Sequence, residues 1–108
     1  LNTPLTEQTR HLISAHTIAK MKRKPLVINV ARGAVVDPQA VYEALEAGQL
    51  LGFATDVFEQ EPPRKDDPLM QLAQHPRVLL TPHVAWASQY ALDKLWKKVK
   101  EQIEQFIQ

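Results

Sequence analysis

The chain contains no cysteine. Disulfides, thiolate metal centres and thiol nucleophiles are therefore excluded, and the composition fits a reducing cytoplasm. It has only three glycines, and none of them builds a G-x-G-x-x-G turn or a Walker sequence. These residues hold no glycine-rich cradle for phosphate. Neither G-x-S-x-G nor H-E-x-x-H occurs, which leaves out the serine-hydrolase elbow and the zincin helix. No stretch approaches the roughly 20 apolar residues of a membrane span, and no secretory signal is visible. A charge excess is missing too, since the net charge is +1. The one basic cluster, Lys97, Lys98 and Lys100, reads as a solvated helix face rather than a nucleic-acid surface. Asp66–Asp67 beside Lys65 is weak as a metal site, and no metal is expected. There is no internal repeat.

What is present is ordinary for a globular domain. The 108 residues are 44% hydrophobic and 23% charged, a usual size and balance for one domain. The chain starts Leu1-Asn2-Thr3-Pro4 without methionine and reads as a fragment of a longer protein. Thr3 to Thr9 reads as a loop. Ser14 can cap a short helix running to about Lys22, which Pro25 stops. Leu26 to Val30 is short, apolar and rich in β-branched residues, which predicts a strand covered on both faces. Asp37-Pro38 predicts a helix start with Val41, Ala44 and Leu45 on one face, and Gly48 ends that helix. A second strand is predicted over 51–57, where small residues suit close packing. A polar loop with three prolines follows, then one or two helical turns over 69–74. Arg77 to Thr81 is the third strand. From Ser88 onward, Leu92, Leu95, Trp96, Val99, Ile103, Phe106 and Ile107 form one stripe on a helix of about twenty residues.

Alternating helices and strands imply parallel strands joined by right-handed crossovers. Three strands are few for such a sheet. The expectation is an α/β, Rossmann-like piece: half of a doubly wound domain from a two-domain protein, with residues 88–108 a long amphipathic helix leading out of it.

Three polar residues fall just past the predicted strands: Arg32, Glu61 and His83. In an open parallel sheet the carboxyl ends of the strands share one edge, outside which ligands bind. An arginine can hold a carboxylate through two parallel hydrogen bonds. An imidazole can exchange a proton near neutral pH, and a carboxylate on its other nitrogen fixes the tautomer. Together they suit chemistry on a small keto or hydroxy acid. Taken singly, each is more simply a surface arginine, a solvated glutamate or a capping histidine. Gly33 would let a ligand approach the backbone closely. Asp56, at the end of an apolar strand, needs a partner, either a ligand's amide or hydroxyl or nearby backbone. Trp86 could wall a pocket or pack in the core. His11, His16 and His75 have no comparable setting and read as surface residues.

Read together, Thr3-Pro4-Leu5-Thr6 with Thr9, Met21-Lys22, Val27 to Gly33, Val36-Asp37, Asp56 to Pro62, and Thr81-Pro82-His83 resemble the D-isomer-specific 2-hydroxyacid dehydrogenases. One such motif is weak, whereas several in the family's order and spacing are specific. The resemblance places residues 1–108 in the second half of that family's NAD- or NADP-binding domain. It implies His83 as acid/base, Glu61 as its partner and Arg32 as the ligand of the substrate's carboxylate and carbonyl. It also implies Asp56 at the nicotinamide, with Thr3 and the Val30-Ala31-Arg32 backbone along the dinucleotide, and reversible hydride transfer between NAD(P)H and a 2-keto acid. Trp86 after His83-Val84-Ala85 resembles the hydroxypyruvate reductase, or glycerate dehydrogenase, branch. It is also similar to the C-terminal-binding-protein corepressors, which use the same fold as a dinucleotide sensor, so a regulatory role is the alternative. The family implies a cytoplasmic homodimer acting on a small 2-keto or 2-hydroxy acid, with no nucleic-acid or membrane partner. The residue that selects NAD or NADP precedes Leu1 in the family's order. By itself this piece is expected to be inactive.

Overall fold

In the computed structural model, which describes residues 1–108, three parallel strands β1 (Leu26–Asn29), β2 (Gly52–Thr55) and β3 (Val78–Leu80) lie in that order. Val27 is in register with Phe53, and Phe53 with Val78. Between them run α1 (Ala15–Ala19, ahead of β1), α2 (Pro38–Glu46) and α3 (Pro68–Gln71), and α4 (Gln89–Ile107) follows β3. The architecture, parallel strands with flanking helices, is Rossmann-like.

The caps act where the side chains predict. Ser14 accepts from Thr17 N, and the Thr17 hydroxyl accepts in return from Ser14 N. Asp37 accepts from Gln39 N and Ala40 N, with Pro38 in the first turn. Gly48 takes φ +69° after α2, the left-handed geometry that glycine adopts without a Cβ penalty. Several elements are shorter than predicted. α1 stops at Ala19, where Lys20 N and Met21 N bond carbonyls three positions back, at Thr17 and Ile18, and the tightened turn ends the α-helical ladder. Val30 leaves β1 because Asn29 captures the backbone ahead: its Oδ1 accepts from Ala31 N and its Nδ2 donates to Arg32 O. A 3-10 turn over Gly33–Val35, not predicted, follows.

Val27 and Phe53 join Ile18, Val41, Ala44, Leu45, Leu50, Leu69 and Leu72 in one apolar cluster. Phe53 is 1% exposed, and burying such a ring contributes about 1.5–3 kcal/mol. A Cβ on Gly52 would stand 2.8 Å from the Arg77 carbonyl oxygen, so the small residues of β2 do admit close neighbours. The expectation that β1 is covered on both faces is corrected, because Leu26 and Ile28 are 58% and 48% exposed, and Leu79 of β3 on the same bare face is 63% exposed. Strands laid down in one direction by right-handed crossovers place every connection on the same side. The two crossovers therefore bring α2 and α3 to the Val27–Phe53 face, where Ile18 of α1 joins them, and leave the other face bare. α4 matches the predicted length, and its stripe is open, with no residue of the helix buried.

Candidate active site

The three strands deliver their exits to one edge because they are parallel. Leaving β1, the buried Asn29 side chain bridges Ala31 and Arg32. Arg32 then stands in extended backbone with its side chain exposed, and Nη1 donates to Ala31 O at 2.8 Å. Leaving β2, Thr55 accepts from Val57 N and donates to Val57 O. The chain then passes directly over Gly33. The space that the missing side chain of that glycine leaves is filled by the backbone of Phe58 and Glu59. Phe58 is buried, and its N–H donates to Glu61 Oε1 at 3.1 Å.

Leaving β3, the chain is held by Asp56. Its Oδ1 accepts from the Thr81 hydroxyl at 2.6 Å and from Val84 N at 2.9 Å, and Oδ2 accepts from Ala85 N at 2.9 Å. Of the two partners open to Asp56 in the sequence, the structure supplies loop backbone together with a side-chain hydroxyl. His83 sits inside this clamp at φ +57°, a left-handed conformation uncommon outside glycine. Trp86 neither packs in the core nor lines the larger groove. It is 60% exposed, and its indole N–H donates to His83 O at 2.8 Å. The His83 backbone is thus held on both sides.

Glu61 Oε2 and His83 Nδ1 meet at 2.7 Å. The hydrogen bond from His83, with a second from Phe58 N, holds the Glu61 carboxyl below its ordinary range against the opposing effect of burial. The charges of His83 and Arg32 act in the same direction. For Asp56 burial pushes the carboxyl up, but the bonds from Thr81, Ala85 and Val84 outweigh it and the net shift is down. Both groups are carboxylates at neutral pH. A carboxylate only accepts, so His83 carries its proton on Nδ1 towards Glu61 and keeps Nε2 free for exchange with a bound molecule.

One hollow borders the pair, and a second lies at Arg32. A groove of about 440 Å³ is lined by Glu61, His83, Phe58, Met70, Leu80 and Pro82, among others. A shallower cleft of about 380 Å³ brings Thr3 beside Val30, Ala31 and Arg32. Asp56 instead borders a third hollow on the bare sheet face with Ile28, Ala54 and Leu79.

Three contributors were passed over in the sequence. Asn29 is 1% exposed, and its signal was a polar side chain within an apolar run. Thr81 reads in the sequence only as the end of a strand, and His11 only as a surface histidine. His16 is exposed, and His75 serves its own turn by accepting from Arg77 N, whereas His11 Nε2 contacts Glu59 Oε1. No sequence pattern signals that contact, which spans 48 positions.

Known proteins resemble this chain over nearly its whole length. Residues 1–85 match the family described as D-isomer specific 2-hydroxyacid dehydrogenase, NAD binding domain. A glycerate dehydrogenase of Methylorubrum extorquens is 42% identical over 99% of this chain and 34% of its own length. A glyoxylate reductase of Korarchaeum cryptofilum is 42% identical over 98% of this chain and 31% of its own. A crystal structure of D-lactate dehydrogenase from Aquifex aeolicus, complexed with NAD and lactic acid, superposes with a TM-score of 0.81 at 31% identity, covering 99% of this chain and 36% of that one. The chain thus spans about a third of the length of the curated relatives it matches.

Proposed function

Because the chain belongs to the D-isomer-specific 2-hydroxyacid dehydrogenase family, we propose that it carries the acid–base half of an NAD(P)-dependent oxidoreductase acting on a small D-2-hydroxy or 2-keto acid. In this reading residues 1–108 are the second half of a dinucleotide-binding domain, and α4 leads out of it. The observation that carries the proposal is the 2.7 Å contact between His83 Nδ1 and Glu61 Oε2, on the same strand edge as Arg32.

The donor set fits part of a dinucleotide. The cleft beside Thr3, Val30 and Ala31 offers a hydroxyl and backbone where the chain has left its ladder. Asp56 has three of its roughly four acceptor positions filled, which leaves capacity for one amide of a nicotinamide. When bound, the dinucleotide supplies or takes up the hydride. The chain's residues do the rest. Arg32 grips the substrate carboxylate and orients the carbonyl. His83 Nε2 delivers a proton to the carbonyl oxygen in reduction and removes it in oxidation. Glu61 holds the tautomer and balances the imidazolium charge. Trp86, tied to His83 O, borders the same rim and would bear on substrate shape.

Hydroxypyruvate or glyoxylate is the proposed substrate, supported by the names of the relatives above and by Trp86 in the segment after His83. The corepressor alternative gains no support from those relatives. A homodimeric, cytoplasmic full-length protein completes the reading, to be checked by sedimentation and fractionation. The test of function is steady-state turnover of the full-length protein with hydroxypyruvate, glyoxylate and each of NADH and NADPH. Turnover above about 1 s⁻¹ on one of them is expected. Less than about 0.1 s⁻¹ on every keto acid would shift the reading to the sensor.

A further inference from the structure

The Glu61 carboxylate is carried on a loop that has left β2, so something must fix that loop relative to Arg32. Gly33 supplies one side, through the crossing of Phe58 and Glu59 over its α-carbon. The other side is a second imidazole–carboxylate contact, His11 Nε2 with Glu59 Oε1, two positions before Glu61. His11 is itself firmly placed. Its N–H donates to Ala34 O at 2.8 Å, Ile13 N donates to Val35 O at 3.1 Å, and its backbone is left-handed at φ +49°. The acceptors Ala34 and Val35 belong to the 3-10 turn that begins one residue after Arg32. The contact therefore closes a ring of three segments: the turn carrying His11, the turn after Arg32, and the loop carrying Glu61.

We propose that His11 and Glu59 are a positioning pair for the reaction, whose contact keeps the Glu61 loop in register with both His83 and Arg32. The inference deepens the dehydrogenase reading and rests on it. His11 and Glu59 touch neither substrate nor reacting atoms in this account; they act through Glu61. Their side chains are 38% and 37% exposed. Exposed ion pairs add little to global stability, so a contact kept here for folding alone would have little effect. Small displacements of a catalytic group, by contrast, cost large factors in rate.

The test uses the full-length protein. His11→Ala and Glu59→Ala are each expected to lower kcat about tenfold, with KM for the keto acid changed less than about twofold and the melting temperature nearly unmoved. The double variant should be no worse than either single one, because both remove the same contact. His11→Gln, which keeps an N–H near the position of Nε2, should restore most of the rate. In a Glu61→Gln background His11→Ala should cost nothing further. A second readout does not depend on turnover: the nitrogen-15 and proton resonances of the His83 Nδ1–H should move in His11→Ala. An unmoved resonance, or a rate loss that adds in full to that of Glu61→Gln, overturns the positioning role. A wild-type protein that turns over no keto acid would overturn the functional reading instead, and the resonance would still decide whether His11 holds the Glu61–His83 contact.

Discussion

A Cβ on Gly33 would lie 1.9 Å from the carbonyl carbon of Phe58. Two backbones, one leaving β1 and one leaving β2, therefore cross at a point that only a glycine permits. The crossing sets where Glu61 emerges, three residues on. Gly33→Ala forces one of the two strands' exits to shift. We expect a loss of about 1–3 kcal/mol in stability and a fall in kcat larger than that loss explains. Urea unfolding and steady-state assays of the full-length variant check both. Unchanged unfolding with full activity would remove Gly33 from this role.

His83→Ala removes the group that exchanges the proton. Turnover should fall by roughly 10² to 10⁴, while Kd for the dinucleotide, read by fluorescence titration, stays within a few fold. Retained turnover would take the acid–base role away from His83.

Glu61→Gln keeps the shape and loses the charge beside His83 Nδ1. The protonated imidazole then has no anionic partner. Nothing then fixes the Nδ1 proton towards the loop, so turnover should fall by about tenfold. Turnover equal to that of the parent would contradict the pairing.

Arg32→Lys keeps a positive charge but loses the planar fork that matches a carboxylate. KM for the keto acid should rise by about tenfold or more, consistent with 1.4 kcal/mol or more of lost binding, with a smaller change in kcat. An unchanged KM would mean that the carboxylate binds elsewhere.

Acid stability follows from the two carboxylates. The folded values of Asp56 and Glu61 are both depressed, from 3.8 and 4.5 respectively. Between the folded and unfolded values the unfolded chain binds more protons, so stability rises with pH there. Their contribution is complete above about pH 5 and is lost as pH falls below 4.5 and 3.8 through the depressed values. Asp56→Asn should be less stable at pH 7 by about 1–3 kcal/mol, since an amide group facing Ala85 N cannot accept from it as well as from Val84 and Thr81. It should also lose less than the parent between pH 5 and pH 3. Parallel declines in urea midpoints for parent and variant would show that Asp56 does not carry the acid sensitivity.

Local chemistry was legible from the order of residues. Ser14 and Asp37 cap helices because each side chain reaches an amide two or three positions ahead, and Gly48 ends α2 because φ +69° excludes a Cβ without strain. The motifs also placed Arg32, Glu61 and His83 past successive strands, and parallel pairing turned that order into a shared edge. The family resemblance paired Glu61 with His83, whereas the folded packing alone decided that Asp56 meets Ala85 and His11 meets Glu59. Glu61 and His83 are 22 positions apart, Asp56 and Ala85 are 29 apart, and His11 and Glu59 are 48 apart. Nothing in a periodic pattern encodes such pairs, because each depends on where two loops land after the sheet has formed. Likewise, an apolar run shows that a strand can be buried, while the hand of the crossovers chooses which face the helices cover.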